Sequence, residues 1–532
     1  MTIRDWYIPF VLGLSFLGCG DDTQTGGGGG DGGSGASGAA GGGTIGGSGG
    51  MAGAGGGAPI TWTTCKIGDL DGECATLSEP LSRTVESGKT VDFHVGRIAA
   101  ATQPARGQLW LLQGGPGLAG STLAGVVASM QTVAPDLDLY LPDHRGVGES
   151  SPLVCDGFET PLVGSATTPD QTAIKASANA CLDALLATWG SLDGFSSVEA
   201  AADLGDAIGR TRTGEQPVFL WSVSYGTRWA LRYLQQFPDQ PTGVVLDSTE
   251  SESLSFTDFG AQLETAAQQL LALCGDDAFC SGRLGPDPGA FVASLLAKLD
   301  GGHCPTSANL QKGDYRLLFT STMTLPAGLR DALPALLYRV DRCNQADQGA
   351  ILHLRTLFAS SQASLVAPVA SGVLNAHVAL SELYDASPAT FDALVAADAP
   401  RAFSNGDAGF YRAVWDVWPR YSASPYRGAY PTSTVPILML QGSLDPLTPP
   451  LHAGLVADAL SNATLVLLDG GAHGSLFQSP TSSGGDCGAE LLQAFVTDPT
   501  ATLDTSCAAD LVPPTFNNDD LAFLFGTNRL WD

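Results

Sequence analysis

The chain of 532 residues is long enough for one large domain carrying an insertion, or for two domains. Apolar residues make up 44% and charged residues 15%, which suits a large packed core and argues against a disordered or fibrous chain. The net charge of −29, from 54 acidic and 25 basic residues, argues against nucleic acid or an anionic membrane as partner, because phosphate would be repelled. The acidic surplus serves solubility outside the cell; the same field would draw in cationic substrates such as peptides with free amino termini.

Residues 1–18 read as a signal segment, with Arg4 as its basic start and an apolar run over 6–18 that is too short to span a bilayer. The run ends in Phe16-Leu17-Gly18-Cys19, similar to the lipobox of bacterial lipoproteins, where the cysteine is acylated and becomes the new amino terminus. Ordinary signal cleavage is the alternative. Residues 19–59 are dominated by Gly, Ser and Ala and cannot bury enough apolar surface to offset chain entropy, so they read as a flexible tether. An extracytoplasmic protein is expected, anchored to the cell envelope through Cys19 or secreted, with no other membrane contact. Ten cysteines follow the tether: Cys65, Cys74, Cys155, Cys181, Cys274, Cys280, Cys304, Cys343, Cys487 and Cys507. They contain no C-x-x-C pair, which disfavours zinc or redox motifs. In an oxidising compartment they make five disulfides, and pairing in sequential order closes short loops.

Short apolar runs at 109–112, 137–141, 217–221, 243–246, 436–440 and 464–468 alternate with helix-like stretches such as 197–210 and 225–237. Unbroken apolar strands between helices indicate a mostly parallel sheet covered on both faces. The rhythm breaks over 251–431, where Ala and Leu recur at helical spacing in 259–273, 290–299 and 327–340. The simplest organisation is an α/β core in two parts, 60–250 and 432–532, with a mainly helical cap inserted at 251–431.

The chemistry sits at strand ends. Trp221-Ser222-Val223-Ser224-Tyr225-Gly226 lies where a buried strand passes into a helix, the setting of a nucleophile elbow of G-x-S-x-G type, with Ser222 in place of the first glycine. Ser224 is the candidate nucleophile, and the helix start behind it favours developing negative charge. Gln113-Gly114-Gly115-Pro116-Gly117 follows an earlier strand, and the N–H groups of Gly115 and Tyr225 are the candidate oxyanion donors. In Asp143-His144-Arg145-Gly146-Val147-Gly148-Glu149-Ser150, Asp143 and Arg145 read as a charge pair or hydrogen-bond anchor that shapes the neighbouring loop. Asp445, after the run ending at Leu440, is the candidate orienting acid, with Asp247 at another strand end as its rival. Of seven histidines, His473 alone completes the order nucleophile, acid, histidine in loops that follow strands.

In this order the motifs resemble those of the α/β-hydrolase peptidases that include proline iminopeptidases and bacterial tripeptidyl aminopeptidase-like enzymes. The resemblance runs from about residue 61 to the C-terminus, and Gln113 looks like the tripeptidyl variant. It implies an α/β-hydrolase fold and release of residues or short peptides from free amino termini through an acyl-enzyme on Ser224, with no metal or organic cofactor. Carboxylates that would bind the substrate ammonium belong to the cap or its edge; Glu250, Glu252, Glu382, Asp385 and Asp416 are the candidates, each also readable as a solvated surface group. A carboxylesterase or lipase with the same triad is the nearest alternative, and a catalytically inert binding protein on the same scaffold is the other.

Overall fold

The computed structural model describes residues 60–155, 158, 170–362, 368–404, 406–422 and 424–532; the expected signal segment, Cys19 and the tether lie outside them. Nine strands form one sheet: β1 (Thr63–Ile67), β2 (Leu70–Pro80), β3 (Thr90–Ile98), β4 (Gly107–Leu112), β5 (Leu137–Pro142), β6 (Val218–Val223), β7 (Gly243–Asp247), β8 (Ile437–Gly442) and β9 (Ala463–Leu468). Their spatial order is β1-β2-β3-β5-β4-β6-β7-β8-β9. Pairing is antiparallel from β1 to β5 by way of β2 and β3, and parallel from β5 through β4, β6, β7 and β8 to β9.

The central strands β4, β6, β7 and β8 are buried at every residue, as a parallel sheet with helices on both faces requires. The helix Ser197–Thr211 starts at Ser196, whose side chain accepts the Glu199 N–H, and it lies beside the helix Tyr225–Gln236 that follows β6. This is the mostly parallel, doubly covered sheet that the strand and helix pattern predicts, and the α/β-hydrolase architecture that the resemblance implies.

Between β7 and β8 the described residues add helices and no strand to the sheet, among them Phe259–Asp276, Pro288–Asp300, Lys312–Met323, Leu333–Arg342 and Gln345–Gln362. One expected helix, 327–340, is divided. Gly328 takes a φ of +86°, Arg330–Ala332 forms a single tight turn, and the helix proper begins at Leu333 with Pro334 in its first turn. Proline lacks the N–H that an inner helical turn needs, so the break falls before it. The ten cysteines form five disulfides in sequential order, Cys65–Cys74, Cys155–Cys181, Cys274–Cys280, Cys304–Cys343 and Cys487–Cys507.

Candidate active site

Ser224 occupies the tight turn between β6 and its helix, with φ 58° and ψ −132°, a conformation that costs energy for a residue with a Cβ and persists only where the surroundings impose it. Those surroundings are specific. A side chain on Gly226 would lie 2.4 Å from the Leu112 carbonyl oxygen, so only glycine lets the helix start this close to β4. Ser222, which replaces the usual glycine, is fully buried and donates its hydroxyl to the Val245 carbonyl at 3.1 Å, so its extra polar group is satisfied by the neighbouring strand. The Ser224 N–H is anchored on the Asp247 carbonyl at 3.1 Å.

The loop after β4 lies against this turn: a Cβ on Gly114 would approach Ser224 Cβ to 2.8 Å and Tyr225 N to 3.2 Å. The Gly114 N–H is taken by Gln113 Oε1 at 2.7 Å. Among the described residues, neither the Gly115 N–H nor the Tyr225 N–H has a hydrogen-bond partner; Tyr225 opens its helix, where no earlier turn supplies an acceptor. The loop is held from the insertion, where Asn375 Nδ2 donates to the Pro116 carbonyl at 3.0 Å and the Ser371 N–H to the Gly117 carbonyl at 2.8 Å.

His473 and Asp445 meet at the ends of β9 and β8. His473 Nδ1 lies 3.0 Å from both Asp445 carboxylate oxygens, and both side chains are buried. Asp445 also accepts the N–H groups of Leu447 and Thr448, each at 2.9 Å, and the Thr448 hydroxyl at 2.9 Å. Burial alone would raise the Asp445 carboxyl, but the His473 charge and these donors outweigh it and hold it below the usual carboxylate range. Burial alone would lower the His473 imidazole, yet Asp445, with Asp247 and Glu250 behind it, keeps it above the usual histidine value.

Asp247, the rival acid, has a different place. Its oxygens accept the N–H groups of Ser475 at 2.7 Å and Leu476 at 2.9 Å, while the Gly474 N–H donates to Ser248 Oγ at 2.8 Å. The end of β7 thus fixes the loop after His473 and, through the Asp247 carbonyl, the Ser224 backbone; Asp247 does not contact the imidazole. Burial pushes its carboxyl up to about 7.

Asp143 and Arg145 do not form the pair that was one of two expectations for them. Asp143 accepts the N–H groups of Gly120 at 2.7 Å and Glu149 at 2.8 Å, an anchor that ties its own loop to the segment following the Gln113–Gly117 loop. Arg145 instead grips Asp203 with two bonds of 2.6 and 2.7 Å and donates to the Leu81 and Gly194 carbonyls, because Asp203 is the buried carboxylate within reach. Nor are all the candidate ammonium-binding carboxylates solvated. Glu250 is buried against Arg228 at 2.9 Å and Glu252 is half-buried against Arg232 at 2.7 Å, while Asp416 is an exposed partner of Lys175 and Arg412, and Asp385 is exposed. Among the described residues Glu382 accepts only neutral donors: the Ser197 N–H at 3.1 Å, Ser197 Oγ at 2.8 Å and the Tyr421 hydroxyl.

Gln441 and Thr448, which pack on Asp445, carry no signature in the sequence. Gln441 Nε2 donates to the Thr448 carbonyl at 2.9 Å and lies 3.3 Å from Asp445 Oδ2. Their place three or four residues from a strand-end aspartate is the one signal available.

A serine on a strained elbow, unoccupied N–H donors beside it and a buried Asp–His pair tied to the same strand end are the equipment of acyl transfer. The chain belongs to the alpha/beta hydrolase fold family, whose profile matches residues 109–480. It is similar to the serine protease Hip1 of Mycobacterium tuberculosis and of Mycobacterium bovis, each 27% identical over 273 residues covering 46% of this chain and 50% of that protein. The chain therefore spans about half the length of the curated relatives it matches. Among solved structures, a serine hydrolase from Cycloclasticus zankles shows 12% identity and a TM-score of 0.36, covering 81% of this chain and 100% of that one. An esterase from Exiguobacterium antarcticum shows 13% identity and a TM-score of 0.31, covering 73% and 90% respectively.

Proposed function

We propose that this chain is an exported serine aminopeptidase that releases residues or short peptides, in the manner of the tripeptidyl aminopeptidase-like group its motifs resemble, from free amino termini. The observation that carries the chemistry is the buried Asp445–His473 pair, linked through the end of β7 to the backbone of Ser224. Ser224 Oγ attacks the scissile carbonyl while His473 Nε2 takes its proton; Asp445 holds Nδ1–H and stabilises the imidazolium. The oxyanion rests on the N–H groups of Gly115 and Tyr225. His473 then protonates the leaving amine, and water, deprotonated by the same imidazole, releases the acyl group from Ser224.

The insertion at 251–431 acts as a cap, and Glu382 within it favours a peptide over a neutral ester. It is the one carboxylate of the five candidates that is largely enclosed without a basic partner among the described residues, and its charge reaches Tyr225, next to the nucleophile. A substrate ammonium would supply a directly bonded cation, which Arg228 does not give it. The similarity to a serine protease and the five disulfides support an extracytoplasmic peptidase, which we place at the cell envelope through acylated Cys19 and the 19–59 tether.

The test is hydrolysis of matched chromogenic peptides with free and acetylated amino termini, and of short-chain esters, by wild type and Ser224→Ala. Turnover of the free-terminus peptide, lost in the variant, is the expected result. Ester turnover without peptide turnover would make the chain a carboxylesterase, and failure of a fluorophosphonate to label Ser224 would leave an inert scaffold.

A further inference from the structure

Arg330 lies in the insertion, in the tight turn Arg330–Ala332 just before the helix Leu333–Arg342, yet it reaches the ends of β8 and β9. The residue is fully buried. Its Nη2 donates to the Gly470 carbonyl at 2.7 Å, in the loop that carries His473, and its Nη1 to the Leu444 carbonyl at 3.4 Å, beside Asp445. Its Nε meets no acceptor among the described residues, and it makes no ion pair there; the adjacent Asp331 turns one oxygen to the Thr515 N–H at 2.8 Å. A dry guanidinium without a bonded carboxylate is costly to keep, and packing alone would be served by an apolar side chain of similar volume.

The same turn holds the far side of the histidine. The Ala327 N–H donates to Gln478 Oε1 at 3.0 Å, and Gln478 Nε2 lies 3.4 Å from the His473 carbonyl. The two loops meet directly through the Leu444 N–H and the Gly471 carbonyl at 3.0 Å, so a planar donor bridging Leu444 and Gly470 fixes their remaining freedom to swing apart. We propose that Arg330 is a positioning residue, supplied by the insertion, that clamps the Asp445 and His473 loops together and sets the geometry of the acid–base pair. This rests on the serine-hydrolase reading of Ser224, Asp445 and His473.

Arg330 also adds a positive charge behind Asp445. The imidazole otherwise faces Asp445, Asp247 and Glu250, with Arg228 engaged by Glu250 and Asp331 beside Arg330 itself. Without the Arg330 charge those carboxylates hold the imidazole proton more tightly.

The experiment compares full-chain wild type, Arg330→Met and Arg330→Lys for fluorophosphonate labelling rate, kcat and KM on an accepted substrate, pH profile and melting temperature. Arg330→Met should lower kcat about tenfold or more with KM within about twofold, and move the acid limb of kcat/KM to higher pH. Arg330→Lys should return that limb towards wild type while kcat stays low, because an ammonium cannot bridge two carbonyls with a rigid fork. A wild-type labelling rate in either folded variant, or an unmoved limb in Arg330→Met, would overturn the proposal, as would a kcat loss in Arg330→Met that disappears on cooling well below its melting temperature. Should Arg330→Met fail to fold, Arg330→Lys alone decides through its kcat. Absence of labelling in wild type would sink the serine-hydrolase reading, and the proposal with it.

Discussion

In the proposed mechanism His473 has to be neutral to take a proton from Ser224, and its surroundings bear on the pH at which that condition is met. Burial opposes the imidazolium, but Asp445 at 3.0 Å, with Asp247 and Glu250, favours it more and raises the imidazole above 6.5. A raised base is protonated, and so inactive, over a wider range on the acid side. The acid limb of kcat/KM is therefore expected above 6.5 in a pH–rate profile; a limb at or below that value would contradict the Asp445 pairing. Asp445→Asn should keep the shape of the site but favour the wrong tautomer, with a kcat loss on the order of 10⁴-fold by analogy with the chymotrypsin-type triad. The elbow at Ser224 and the strand-end loop of His473, as candidates, were legible in the sequence because small residues crowd around each at the end of an apolar run. The choice between Asp445 and Asp247 was less so, since both follow strands. What separates them is where the oxygens go, to an imidazole or to the Ser475 and Leu476 N–H groups, and no pattern of residue types encodes that. Arg330 was hidden for the same reason: its partners are backbone carbonyls.

The strand ends act as fixed mounts, and β7 serves two of them. Its last residue, Asp247, gives its carbonyl to Ser224 and its carboxylate to the loop after His473. Asp247→Ala should leave the sheet pairing intact but free that loop, lowering kcat by up to about 100-fold with little change in KM. Because the Asp247 charge favours the imidazolium, the acid limb should also move to lower pH, opposite to the shift expected for Arg330→Met. Steady-state kinetics across pH separate the two, and an unchanged kcat would show that the loop holds itself. The strands that mount the site were readable because β4, β6, β7 and β8 are buried on both faces and so are continuously apolar. β1 to β3 were not. They lie at one edge, expose alternate residues and carry Gly72, Asp71, Glu73 and Asp92 within the runs, so no apolar stretch marks them. The divided helix at 327–340 shows the converse error, where helical spacing of apolar residues outweighed the signals of Pro326, Gly328 and Pro334.

At the scale of the whole molecule, a chain of net charge −29 also buries carboxylates, and its stability should respond to pH in a defined direction. Arg83 joins the end of β2 to the helix Ser197–Thr211 by contacting Glu79, Glu199, Asp203 and Asp206, with Arg145 on Asp203 and Arg210 on Glu79. Four acids meet three bases, and burial together with Asp203 and Asp206 pushes the Glu79 carboxyl up to about 7. Burial takes Asp247 to about 7 and Asp331 to about 6. An acid whose folded value is raised binds its proton more tightly when folded, so each of these three destabilises the fold when ionised and ceases to do so as pH falls through its folded value. His144 and His377 work in reverse: burial lowers both from 6.5 to about 4, so they stay neutral in the fold while the unfolded chain gains protons below 6.5. From about pH 8 down to the range of the unfolded histidines, the carboxylates, the raised His473 imidazole and overall repulsion act, and all favour folding as pH falls. Below it the histidines offset the carboxylates, and the curve should flatten. The melting temperature is thus expected to rise by about 2 °C or more between pH 8 and 6.5, then level off. Glu79→Gln, which removes one of the titrating groups, should melt higher than wild type at the alkaline end and lose that advantage on the acid side of about 7. A wild-type melting temperature that instead climbs with pH over this range would mean that the ion pairs around Arg83 outweigh the burial of Glu79, and that the acidic surplus carries no stability cost.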